Sequence, residues 1–160
     1  MRVAILISLA AFAVASAAAA AQPAELKTYT SAAEVAALQA KAKAERKTDQ
    51  PTLSQPLLRL APYAANLEYR ATVGPAAVHE DRAEFFYVVD GSGTLTTGGR
   101  LRGETRTNPT NLSGTGIDGG ESRKVAKGDL FIVPEKTPHQ FTAIDGELVL
   151  VSMHVPRTAP

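Results

Sequence analysis

The chain has 160 residues, 17 basic against 16 acidic side chains for a formal net charge of +1, and no cysteine. That length suits one domain of ordinary size. A balanced charge argues against a nucleic-acid footprint, and the lack of cysteine excludes a disulfide framework, a lipoprotein attachment site and any thiolate metal ligand.

Residues 1–21 read as a secretory signal peptide. Arg2 is their only charge, an apolar run follows from Val3, and Ala19-Ala20-Ala21 supplies the small-residue cleavage pattern before Gln22-Pro23. An uncleaved membrane anchor is the alternative, but the second half of the run is almost all alanine and only weakly lipophilic. The expectation is a periplasmic or secreted protein, cleaved after Ala21, with no stable membrane anchor. Removal of Arg2 leaves sixteen basic and sixteen acidic residues in the mature chain.

Ser31-Ala-Ala-Glu34 matches a capping box and predicts a helix from Ala32 to Arg46. Its composition favours helix, but Val35 and Leu38 are its only large apolar residues, so its buried stripe is thin. Such a helix lies on the surface or docks against a second subunit. The basic cluster Lys41, Lys43, Arg46 and Lys47 reads as its solvated face. Thr48-Asp-Gln-Pro51 and Gln55-Pro56 then read as a linker, so residues 22–56 form an N-terminal helical extension and 57–160 the main domain.

From Leu57 onward short β-rich runs alternate with Gly, Pro, Asn and Asp. The predicted strands are Leu67–Val73, Ala76–His79, Glu84–Val89, Gly93–Thr97, Arg123–Val125, Asp129–Val133, His139–Ile144 and Leu148–Val155. Turns are expected at Gly74-Pro75, Asp90-Gly91, Gly98-Gly99, Lys127-Gly128, Glu135 to Pro138 and Asp145-Gly146. Many short strands with almost no intervening helix give an all-β fold: sandwich, jelly roll or barrel. Leu101 to Ser122 reads as a long polar loop, a candidate lid. Within it Gly114-Thr-Gly116-Ile-Asp-Gly119 spells a dinucleotide fingerprint, but it neither follows a strand nor opens a helix, so it is loop punctuation. Asn111-Leu-Ser113 spells a glycosylation acceptor.

The chain has three histidines, His79, His139 and His154. A transition-metal site must be built from these and carboxylates, and two imidazoles with one carboxylate and open positions is a known arrangement for non-haem iron. Side chains at i and i+2 of a strand share a face, which groups Glu84, Phe86 and Val88, and likewise His139, Phe141 and Ala143. If both faces are interior, carboxylate and imidazole meet in a mostly apolar chamber of the kind that binds small molecules. Tyr87 falls on the opposite face from Glu84. The facing of His154 in Leu148–Val155 stays open; a satisfied or edge histidine is the simpler reading, with ligation the alternative.

His79, four residues, Glu84, six residues, Gly91 resembles the first motif of the cupin superfamily. Gly128, five residues, Pro134 and then His139 resembles the second. Against the family pattern Ala77 stands in place of the first histidine, Lys136 in place of the second-motif glycine, and Ala143 where asparagine is frequent. The resemblance implies a double-stranded β-helix, or jelly-roll, barrel over roughly residues 57–156. It also implies a homodimer and a divalent transition metal (Mn, Fe, Zn or Ni) on His79, Glu84 and His139, one ligand short of the usual four. His154 and Asp81 are the residues available to complete the set. The expected function is small-molecule binding in the barrel, either as a metal-dependent enzyme of dioxygenase, decarboxylase or isomerase type, or as a metal-free binding module.

Overall fold

The computed structural model describes residues 25–47 and 49–157. The expected signal peptide, residues 1–21, lies outside the described residues.

Helix α1, Ala32–Glu45, starts where the capping box puts it. Ser31 Oγ accepts from the Glu34 N–H, and the Glu34 carboxylate accepts from the Ser31 N–H. Its few apolar residues suffice to dock it. Val35, Leu38 and the fully buried Ala42 pack onto Leu57, Ala65, Leu67, Tyr69 and Val149 on the outside of the barrel. Lys43 and the Tyr69 hydroxyl both meet the Glu147 carboxylate, at 2.9 and 2.7 Å, and secure the helix to the sheet.

Eleven strands follow among the described residues: β1 Thr52–Leu60, β2 Tyr63–Arg70, β3 Ala76–His79, β4 Arg82–Thr97, β5 Arg100–Arg102, β6 Thr105–Asn108, β7 Asn111–Gly114, β8 Gly116–Asp118, β9 Glu121–Ala126, β10 Leu130–Val133 and β11 His139–Pro156. All pairings are antiparallel, in the order β1-β2-β11-β3-β7-β6, with β4 bonded to β11, β9 and β10. Between them the long strands β4 and β11 carry the barrel. The inward faces of these elements close a core of Phe86, Val88, Leu95, Val125, Val133, Phe141, Leu148 and Leu150.

Three expectations are corrected. Residues 52–55, read as linker, are the first half of β1, paired with Leu67–Arg70. Asp90-Gly91 and Asp145-Gly146 do not end strands: β4 and β11 run on through register shifts. The Gly–Asp signal is real, since Gly91 and Gly146 have positive φ, but here it builds a bulge that bends a strand from one sheet toward the other. Finally, Leu101 to Ser122 is not a loop. Within it β5 pairs with β8 and β6 with β7, and β7 adds to β3. A small core of Ala76, Val78 and Leu101, flanked by Leu112 and Ile117, holds this flap against the barrel.

Candidate metal centre

Along β4 the inward parity places Glu84, Phe86 and Val88 in the interior, all buried, while Tyr87 is exposed. On β3, Ala76 and Val78 enter the flap core, so His79 takes the opposite face, toward Glu84. On β11, His139 and Phe141 point inward at the start of the strand. At its far end His154 lies directly across from Glu84 in the β4–β11 ladder, which turns its side chain to the same face.

The result is one carboxylate ringed by three imidazoles. Glu84 Oε2 is 3.2 Å from His79 Nε2 and 3.2 Å from His139 Nε2, and Glu84 Oε1 is 3.4 Å from His154 Nε2. One ligand atom from each of His79, Glu84 and His154 lies within 4.8 Å of the others. The His79 ring stands 4.6 Å from that of His154 and 5.4 Å from that of His139, centroid to centroid. Of the residues expected from the sequence, His79 and His139 both approach Glu84, while the group whose ligand atoms lie mutually within 4.8 Å holds His154 and not His139. The facing of His154, open in the sequence, is toward Glu84. Asp81 takes no part: its carboxylate is half exposed and 3.3 Å from Arg82 Nε.

Beneath the cluster Phe86 stacks on Phe131 at 5.0 Å and meets Phe141 edge-on at 5.8 Å. This floor is apolar, so the Glu84 carboxylate is removed from water on that side. Burial by itself raises its pKa, but the contacts from His139, His154 and His79 outweigh this and hold the carboxyl far below its ordinary range. For His79 burial acts downward, but the contact with Glu84 and the hydrogen bond with Asn111 carry its pKa above the ordinary imidazole value.

The outer nitrogens of two of the rings are engaged. His139 Nδ1 lies 3.1 Å from the Thr137 carbonyl, an obligate acceptor, and His79 Nδ1 lies 2.8 Å from Asn111 Oδ1. With hydrogen on Nδ1, a neutral ring presents only a lone pair at Nε2. Two such lone pairs at 3.2 Å from one carboxylate oxygen repel unless positive charge lies between them. Protons can supply it, and so can one divalent cation, whose neighbouring ligands are about 3 Å apart when bonds are about 2.1 Å long. His154 Nε2 is also buried, and its 3.4 Å approach to Glu84, close enough to help hold the carboxyl ionised, lacks good hydrogen-bond geometry. An unsatisfied buried nitrogen aimed at a carboxylate and two further imidazoles fits a metal ligand.

Among solved structures the architecture has clear parallels. The cupin domain of Cnp3 from Schizosaccharomyces pombe matches over 68% of this chain and 63% of its own, at 15% identity and a TM-score of 0.50. The chain therefore spans less than two thirds of that domain's length. The chain has the cupin fold. KdgF from Halomonas sp. matches over 71% of this chain and 87% of its own, at 18% identity and a TM-score of 0.50. A Ralstonia eutropha protein provisionally assigned as a mannose-6-phosphate isomerase matches over 71% and 94%, at 18% identity and a TM-score of 0.50. No family model and no curated protein matches the sequence. In this cupin barrel the position of the missing first histidine, Ala77, faces the same side as His79, and His154 from β11 supplies the third imidazole instead.

Proposed function

We propose that this chain is an exported, metal-dependent cupin. His79, Glu84, His139 and His154 hold one divalent transition metal, and a small molecule binds beside it. The observation that carries this reading is the partnerless buried Nε2 of His154 within reach of the same carboxylate as two other imidazoles. When bound, such a metal supplies Lewis acidity, polarising an oxygen of the substrate or activating a water.

The chain's own residues do the rest. Glu84 offsets one unit of the metal's charge, the three imidazoles fix its position, and the Phe86, Phe131 and Phe141 cluster excludes water from below. On the same inner surface Arg70 stacks over Phe141 at 4.8 Å and is paired with Glu68, which accepts from Ser152. Dioxygenase, decarboxylase and sugar-isomerase chemistry all suit a centre of this kind. The rival reading, a metal-free binding barrel, leaves the His154 nitrogen without a partner, which costs about 1–3 kcal/mol.

Export rests on residues 1–21, with cleavage after Ala21, and periplasmic or secreted residence follows; N-terminal sequencing of the protein from its native host tests it. Among the described residues no helix is long and apolar enough to cross a membrane. A homodimer through the outer face of β4 and β10 completes the proposal.

The test is metal content by inductively coupled plasma mass spectrometry on the untagged chain from Gln22 onward. One equivalent of metal in the wild type, lost in Glu84→Gln and His139→Ala, supports the reading. No metal after incubation with Mn, Fe(II), Zn and Ni contradicts it.

A further inference from the structure

His79 reaches the centre from β3, a strand of four residues that meets β11 at one position only, His139 opposite Ala77. Something else must hold its ring. That support comes from β7, the strand of the flap that pairs with β3, where Asn111 lies directly opposite His79. Asn111 Oδ1 is 2.8 Å from His79 Nδ1 and 3.2 Å from Arg82 Nη2, and Arg82 Nη2 also donates to Thr110 Oγ1 at 3.3 Å.

The two contacts at Asn111 decide each other. An amide presents either its oxygen or its nitrogen, but a guanidinium can only donate, so the atom facing Arg82 is the oxygen. The same oxygen faces His79 Nδ1, which therefore carries the hydrogen. Nε2 then faces Glu84 Oε2, a second acceptor, at 3.2 Å, so it meets that carboxylate either through a second proton or through a cation that takes its lone pair.

We propose that Asn111, oriented by Arg82, is a positioning residue that locks His79 in the Nδ1–H tautomer and turns Nε2 to the metal. This rests on the metal reading above for its purpose, but not for its chemistry, since Asn111 holds the hydrogen at Nδ1 whether Nε2 meets a proton or a cation. Partners of this kind change metal affinity by roughly 10–100-fold when removed. It also assigns a use to the Asn111-Leu-Ser113 sequence: the side chain that would be glycosylated is engaged with His79 and Arg82.

The experiment compares wild type, Asn111→Leu and Asn111→Asp in two measurements. Side-chain ¹⁵N shifts of His79 in metal-free protein, well above neutral pH, report the tautomer. Competition with a chromophoric chelator reports Zn²⁺ affinity. We expect Nδ1–H in the wild type, a shift toward Nε2–H in Asn111→Leu with Zn²⁺ binding weakened about 10–100-fold, and recovery of both in Asn111→Asp, which keeps the acceptor. An unchanged tautomer in folded Asn111→Leu overturns the proposal, even if zinc binds normally. If the tautomer shifts but the wild type takes up no metal, Asn111 keeps its positioning role and it is the metal reading that fails.

Discussion

At the scale of single residues the centre is a contest between protons and a cation for the same nitrogens. In the metal-free protein the His79 pKa is raised, so its contribution to stability is fully present below the ordinary imidazole value of about 6.5. That contribution is lost as pH rises through the raised value. Glu84 works the other way: its depressed pKa gives stability above the ordinary carboxylate range, lost only under strongly acid conditions. The melting temperature of the metal-free protein should therefore fall from about pH 6.5 upward. Added Zn²⁺ should remove that fall, because the metal replaces the protons on the ring nitrogens and binds more tightly as they leave. Thermal melts between pH 6 and 9, with and without Zn²⁺, check this; parallel curves would contradict it.

The candidate site was legible as far as residue spacing and strand parity reach. His79 and Glu84 share one motif and His139 another, and alternation gave Glu84 and Phe86 the same face. His154 was not legible. Its strand has the outer residues Val149, Val151 and Met153 covered by α1 and the β1–β2 hairpin, and the inner residues Leu148 and Leu150 in the barrel core. With both parities apolar, alternation carries no signal; the pairing of His154 with Glu84 is a long-range fact. The place of Asn111 opposite His79 is likewise a long-range fact, set by the β3–β7 register.

At the scale of elements the same limits recur. Local chemistry marked the start of α1 and the glycines of β4 and β11, but positive φ does not say whether the chain turns back or continues through a bulge. Gly91 shows the constraint most sharply: a Cβ there would lie 1.9 Å from the Glu147 carbonyl oxygen. Gly91→Ala should cost about 3 kcal/mol, combining left-handed strain with the clash. Lys136 is the converse case. It occupies the motif's glycine position with φ of 59°, and its N–H donates at 2.7 Å to the His79 carbonyl, tying the turn before β11 to β3. Lys136→Gly relieves about 1–2 kcal/mol of left-handed strain and adds about 0.5–1 kcal/mol of unfolded-state entropy. A net gain of about 0.5 kcal/mol is expected in urea titrations, and a loss of stability would show that the lysine side chain matters more than its backbone.

For the whole molecule, the barrel is covered on one outer face by α1 and left open on the other. There Tyr87 on β4 is exposed beside its ladder neighbour Leu130 and Ile132 on β10, a strand that pairs only with β4 among the described residues. An apolar, unpaired edge is a liability unless it is covered, and a second copy of the chain covers it in the proposed dimer. Ile132→Glu should halve the mass seen by light scattering without changing metal content. A monomeric wild type would contradict this assembly while leaving the centre untouched.

In the proposed centre four residues from β3, β4 and both ends of β11 share one ion. Anomalous diffraction from crystals of the Zn²⁺-loaded protein, collected on both sides of the zinc edge, addresses it directly. One strong peak is expected within bonding distance, about 2.0–2.2 Å, of Glu84 and the Nε2 atoms of His79, His139 and His154. A barrel with no peak at Glu84, or a peak that leaves His154 unbound, would contradict it.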